Sequence, residues 1–174
     1  MQKRSLLATL ALLVGSMSLL GPAPVQGAAA PEAVERPRGM RAEIVEVEDG
    51  DSIRVRMLRS GAPRNIRLIG IDTPEIHGQV ECGGPEAARS LRRMLPVGKV
   101  VRLRGDRYQD DRDLFNRYLR YVITPKGIDV GRRQVFRGWA QVFVFGGETY
   151  ERIDTYRRAS KRAKRADRGV WGQC

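Results

Sequence analysis

Residues 67–75 read Arg67-Leu68-Ile69-Gly70-Ile71-Asp72-Thr73-Pro74-Glu75. An apolar strand pattern stops abruptly, and its end presents an acid, a hydroxyl, a proline and a second acid. Pro74 has a restricted φ and keeps Thr73 extended, so Asp72 and Glu75 project from a stiff corner. Upstream, apolar residues recur with period two: Ala42, Ile44, Val45 and Val47, then Ile53, Val55 and Met57, then Ile66, Leu68, Ile69 and Ile71. That spacing predicts three strands. Asp49-Gly50 reads as a tight turn between the first two, and Ser60-Gly61-Ala62-Pro63 separates the second from the third.

Downstream, Pro85 to Leu95 has helical periodicity, with Ala87, Ala88, Leu91 and Leu95 on one face and Arg89, Arg92 and Arg93 on the other. Pro96-Val97-Gly98 ends it. Val100, Val101 and Leu103 predict a fourth strand and Tyr118 to Ile123 a fifth. Ile128 to Arg137 reads as a short helix stopped by Gly138, and Glu148 to Ala166 as a charged helix before the tail Gly169-Val170-Trp171-Gly172. Val170 and Trp171 are expected against the barrel. The fold class is α+β: a five-stranded Greek-key barrel of the OB type with about three helices.

The chain has 174 residues, about one domain on length alone. It carries 32 Lys plus Arg against 20 Asp plus Glu, a formal charge of +12, which favours an anionic partner. Hydrophobic residues make up 41% and charged residues 30%, a balance that suits a globular core and excludes a multi-span membrane protein. His77 is the single His, so mechanisms needing two imidazoles are excluded. Two Cys, Cys82 and Cys174, are too few for a Cys-only structural zinc site.

Residues 1–30 read as a secretory signal peptide. Lys3 and Arg4 precede an almost wholly apolar run from Leu6 to Leu20, and Val25-Gln26-Gly27-Ala28-Ala29-Ala30 offers a cleavage site near residues 27–29. A retained anchor is the other reading, against which the run falls short of the roughly 20 residues a span needs. After cleavage no stable membrane insertion is expected, and the protein is secreted or periplasmic. Residues 31–40, with Pro31, Pro37 and Gly39, are a flexible lead-in, and residues 41–174 form the domain. In an oxidising compartment an even pair of cysteines is more often bridged than free. A Cys82–Cys174 bridge would tie the C-terminus to the body, at roughly 4 kcal/mol by chain-entropy models.

Glu48-Asp49-Gly50-Asp51-Ser52 places acids at the mouth of the first hairpin. If the second and third strands pair, Asp51 and Asp72 converge. Two carboxylates with a backbone carbonyl and waters suit a hard cation such as Ca²⁺. The plainer reading is a turn whose acids form its solvated rim. Arg67 lies five residues before Asp72, so the two need not share a face, although barrel curvature would bring them to one pocket. Arg117 follows the polar loop Asp110-Asp111-Arg112-Asp113 and precedes the apolar Tyr118-Leu119. A bidentate guanidinium is suited to a phosphodiester whose charge grows in the transition state.

Together these segments resemble the staphylococcal nuclease, or thermonuclease, family. Its signature is a D-G-D-[T/S] hairpin, then R-L-x-x-[I/V]-D-T-P-E, then D-x-x-G-R before a strand. The counterparts are Asp49 to Ser52, Arg67 to Glu75, and Asp113-Leu114-Phe115-Asn116-Arg117. Arg137-Gly138-Trp139-Ala140-Gln141-Val142 is similar to the family's Gly-x-Ala segment, and the resemblance covers about residues 42–171. It implies a calcium-dependent secreted endonuclease that hydrolyses DNA and RNA to leave 3′-phosphate ends. Asp51 and Asp72 match the calcium carboxylates, and Thr73 matches the residue whose backbone carbonyl reaches the metal. Glu75 matches the acid beside the attacking water; Arg67 and Arg117 match the arginines on the scissile phosphate.

The chain departs from the pattern at a few positions. Ser52 replaces the commoner Thr and keeps the hydroxyl. Asn116 stands where the family has Gly, and Asn tolerates positive φ better than most residues. Phe143 and Phe145 fall near the family's nucleotide-stacking tyrosines, where a phenyl ring still stacks but donates no hydrogen bond. The cysteine pair is not a feature of the staphylococcal enzyme. His77 is expected at the surface without a catalytic role. The charged helix, with Arg152, Arg157, Arg158, Lys161, Arg162, Lys164 and Arg165, is either a solvated face or a track for a nucleic-acid backbone.

Two other functions compete with the enzyme: a non-catalytic OB-fold module that binds nucleic acid or another polyanion, and an envelope protein that uses only the basic helix. All six matched positions carry the expected residue, which favours the enzyme. A monomer is the default expectation.

Overall fold

A computed structural model describes residues 39–147 and 149–174. The expected signal peptide and nearly all of the lead-in lie outside these residues. Strand β1 (Met40–Val47) pairs antiparallel with β2 (Ser52–Met57), and β2 with β3 (Pro63–Leu68). β6 (Tyr118–Ile123) runs parallel to β3, with Ile66 opposite Tyr118 and Leu68 opposite Arg120. β5 (Val100–Arg104) pairs antiparallel with both β6 and β1. The order β1-β2-β3-β6-β5 closes on itself, the barrel expected from five apolar-alternating segments.

The alternation is legible in the burial. Ala42, Ile44, Ile53, Val55, Ile66, Leu68, Val101 and Leu103 all point into the barrel. In β1 the inward set slips from Ile44 to Val47, because a bulge between Ile44 and Glu46 inserts one extra residue. Helix α1 (Gly84–Met94) buries Ala87, Ala88 and Leu91, and Leu95 just beyond it, while Arg89, Arg92 and Arg93 stay exposed. Asp129 caps α2 (Val130–Phe136) by accepting the Arg132 N–H.

Two expectations need correction. The third strand does not run through Ile71. It ends at Leu68, and Ile71–Asp72 forms a separate strand, β4, paired with β7 (Gln141–Val142). Gly70, at φ 76°, breaks the strand, since a left-handed residue cannot continue the pleat. Helix α3 spans Ile153–Arg165 and starts later than residue 148, which itself lies outside the described residues. Tyr150 is instead buried in the core and accepts the Ile153 N–H on its carbonyl. At the other end, the tail forms a short helix, α4 (Val170–Gln173), tied to the residue after the α2 cap and to α3. The Val170 N–H donates to the Gly138 carbonyl, and the Lys164 ammonium sits 4.2 Å above the Trp171 ring. Cys174 is bonded to Cys82, just before α1, with their Cα atoms 6.0 Å apart.

Candidate active site

The β1–β2 hairpin is shaped by its own side chains. Asp49 Oδ1 accepts the N–H groups of Asp51 (2.8 Å) and Ser52 (2.7 Å), a local turn that short acids favour. Gly50 has no positive φ, so conformational freedom is not its role. A Cβ there would lie 2.6 Å from Thr73 Oγ1 and 2.9 Å from the Ala87 Cβ. Glycine is needed because Thr73 and α1 press against the hairpin tip. Gln134, fully buried on α2, ties the same point from below: its Nε2 donates to the carbonyls of Gly50 and Ala87, each at 3.0 Å.

Asp51 is therefore not on a solvated rim. Only 5% of it is exposed. Its Oδ2 accepts the Thr73 N–H (3.0 Å) and hydroxyl (3.1 Å) and pairs with Arg67 Nη1 at 2.9 Å. Its Oδ1 accepts the Ser52 hydroxyl at 3.0 Å. Burial pushes the Asp51 carboxyl up to about 7; Arg67 and the Ser52 hydrogen bond oppose the rise, and the charges of Asp49 and Asp72 add to it.

The Gly70 turn brings Asp72 back beside Arg67. The Gly70 carbonyl accepts the Tyr150 hydroxyl and the Phe143 N–H, each at 3.1 Å. Past that turn, Arg67 Nη1 donates to the Ile71 carbonyl and Nη2 to Asp72 Oδ1, both at 2.9 Å. Residues five apart on one straight strand point to opposite faces; the turn, not barrel curvature, unites them. On the other side, Asp113 accepts Arg117 Nε at 2.7 Å and its backbone N–H at 2.9 Å. Asn116 supports this loop at φ 63°, as its residue type predicts. Arg117 Nη1 then reaches the Ser52 hydroxyl at 3.3 Å. Both guanidinium groups are thus linked to Asp51, one directly and one through Ser52.

A cleft of about 330 Å³ gathers Asp51, Arg67, Asp72, Glu75 and Arg117, with Phe143 and Phe145 on its rim. Glu75 is exposed, and among the described residues its carboxylate accepts no hydrogen bond; its loop is held by the Glu75 N–H donating to Glu81 Oε2 at 3.0 Å. His77 is exposed and does not line the cleft, and the Cys82–Cys174 bridge is not part of it either. The sequence reading missed four contributors. Gln134 and Tyr150 are polar groups in apolar surroundings, with no local pattern to mark them. Leu114 and Phe115, both strongly exposed, also line the cleft. Their signal was two large apolar residues inside an otherwise polar loop.

Barrel order and cleft together define an OB-type α+β domain whose site is built from carboxylates and arginines. Residues 65–173 match the family described as "Staphylococcal nuclease homologue". The chain is 30% identical over 132 residues to a protein named thermonuclease from Staphylococcus hyicus, covering 74% of each chain. It is 25% identical over 151 residues to an uncharacterized protein of Methanocaldococcus jannaschii, covering 74% of this chain and 70% of the other. This chain belongs to the staphylococcal nuclease family.

Proposed function

We propose that the protein is a calcium-dependent secreted endonuclease that hydrolyses phosphodiester bonds of DNA and RNA and leaves 3′-phosphate ends. The observation that carries this reading is the meeting of Arg67 and Arg117 around Asp51, with the Glu75 carboxylate in the same cleft. Two guanidinium groups, one from β3 and one from the loop before β6, match the needs of a phosphoryl centre whose negative charge grows during attack. Glu75, exposed and free of competing donors among the described residues, takes the proton of the attacking water. Phe143 and Phe145, at the edge of the cleft, offer rings on which bases stack.

The donor set fits calcium. Asp51 and Asp72 each lie 2.9 Å from one guanidinium, so a single cation already stands between two hard oxygen donors. Among the described residues no three His, Cys, Asp or Glu side chains gather into a closed metal cage. Two carboxylates completed by a carbonyl and waters are the ligand pattern of a hard, oxygen-seeking ion. Asp51, Asp72 and Thr73 would hold it. When bound, calcium supplies positive charge to a phosphate oxygen and orients a water.

The apolar, basic-flanked segment of residues 1–30 and the Cys82–Cys174 bridge support export to a periplasm or beyond the cell. Among the described residues no helix is long and apolar enough to cross a membrane. The test is cleavage of single-stranded and duplex DNA and of RNA, with calcium and then with excess chelator. Calcium-dependent cutting that leaves 3′-phosphate ends is expected. Salt-sensitive binding without cutting would transfer the protein to the binding modules, and cutting indifferent to chelator would remove calcium from the mechanism.

A further inference from the structure

Helix α3 is buried along Tyr156, Ala159 and Ala163. Its exposed faces carry Arg157, Arg158, Lys161, Arg162, Lys164 and Arg165, against one acid, Asp154. Among the described residues none of the six cations is in an ion pair. Arg157 and Lys161, Arg158 and Arg162, and Lys161 and Arg165 are like charges four residues apart, each pair costing a few tenths of a kcal/mol. The helix keeps this repulsion where alternating signs would relieve it.

The position of the charge adds to its sign. A second groove, of about 670 Å³, runs between α3 and the stretch from the end of β7, lined by Val142 and Val144 on one side and on the other by Arg157, Arg158, Lys161 and Lys164, with Ser160 and the single acid Asp154 among them. Residues 142–145 alternate: Val142 and Val144 face this groove, while Phe143 and Phe145 line the cleft. One stretch of backbone is the wall between the two. From Arg157 to Lys164 the helix rises about 10 Å, which is roughly three base steps of a stacked strand at about 3.4 Å each.

We propose that this groove is a track for the polynucleotide strand after it leaves the cleft past Phe143 and Phe145. The cations of α3 hold successive phosphates, and Val142 and Val144 floor the groove beneath bases and sugars. The inference rests on the cleft being a nucleic-acid site. An anionic membrane is the rival partner for a basic helix, but membrane-surface helices set large apolar side chains beside their cations. The exposed faces of α3 carry none.

The test compares a 30-nucleotide oligo(dT) with a thymidine dinucleotide, which is too short to leave the cleft. The variant is Arg157→Ser with Arg158→Ser and Lys161→Ser, all at exposed positions, in the full chain. Binding of the long strand should weaken about tenfold, and its log–log salt slope should fall by roughly 2, from three lost phosphate contacts at about 0.7 each. The KM for the dinucleotide should not change. A control with Arg41→Ser, Arg56→Ser and Arg102→Ser removes the same charge from the barrel surface and should leave the slope alone.

An unchanged slope in the α3 variant overturns the track, as does an equal fall in the control. Loss of binding to phosphatidylserine vesicles with oligo(dT) binding intact overturns it in favour of a membrane. If the unaltered protein binds the long strand without cutting it, the nuclease reading fails, and the salt slope still decides the track.

Discussion

The cleft has two ends built on opposite principles. At the inner end, Asp51 is buried, and its carboxylate is engaged by Thr73, Arg67 and Ser52, with the hairpin beneath it pinned by Gln134. At the outer end, Glu75 is exposed with no donor to its carboxylate among the described residues, and Leu114, Phe115, Phe143 and Phe145 stand in solvent. Asp72 bridges the two, paired with Arg67 yet 55% exposed at its side chain. The inner end spends folding free energy to hold charges at set positions, the condition for electrostatic stabilisation of a transition state. The outer end leaves its groups in solvent, as the proposed contacts with water and bases require. Substitutions should therefore separate: inner changes damage stability and activity together, outer changes damage activity alone.

The sharpest break comes from Arg67→Leu. It leaves the buried Asp51 carboxylate without its ionic partner, and removing one member of a buried pair costs about 3–5 kcal/mol. Urea unfolding should show that loss and cleavage should be abolished; unchanged stability would mean that the inner end is not held by the pair. Glu75→Gln is the outer counterpart. Hydrolysis should fall about 10²–10⁴-fold, the usual contribution of a positioned acid–base group, while the melting temperature and oligonucleotide binding hold. A Glu75→Gln enzyme as fast as the parent would remove Glu75 from proton transfer.

Gln134→Leu tests whether the hairpin tip matters at a distance. It strands the buried Gly50 carbonyl, at a cost of about 1–3 kcal/mol, while the Ala87 carbonyl keeps its partner within α1. Denaturation should register the loss, and kcat should drop more than KM because the hairpin carrying Asp51 loosens. An effect on stability with unaltered kinetics would confine Gln134 to the core. The smallest effect is expected from Asn116→Gly, which replaces a strained left-handed residue by the one that adopts φ 63° freely. Stability and cleavage should change by no more than about 1 kcal/mol equivalent. A large loss would show that Arg112, which donates to the Asn116 side chain, organises the rim.

Much of the barrel was legible because its strands bury one face. Ile53 and Val55, Ile66 and Leu68, and Val101 and Leu103 are buried two residues apart, while Arg54, Arg67 and Arg102 between them are less buried, an alternation that period two shows directly. The end of β3 was misjudged for the same reason: Ile69 and Ile71 are buried too, so the apolar run continues through the break at Gly70. Hydrophobicity reports which residues are inside and not which sheet they join. The cleft acids and arginines were recognisable as motifs, yet whether Asp51 was a solvated turn residue or a buried one depended on what packs above it.

The sequence by itself determined the number of barrel strands, the face of α1 that is buried, the left-handed position at Asn116 and the cysteines available to pair. Each follows from a local rule: side-chain periodicity, residue-specific backbone freedom, or the absence of other thiols. Tertiary structure alone decided that Gly50 is required by Thr73 and α1, that Tyr150 and Phe143 secure the Gly70 carbonyl, and that Arg67 joins Asp51 to Asp72. Gln134 reaches Gly50 across 84 residues and Tyr150 reaches Gly70 across 80. Such contacts leave no periodic trace along the chain, because a hydrogen bond depends on where two groups meet in space and not on the residues that separate them.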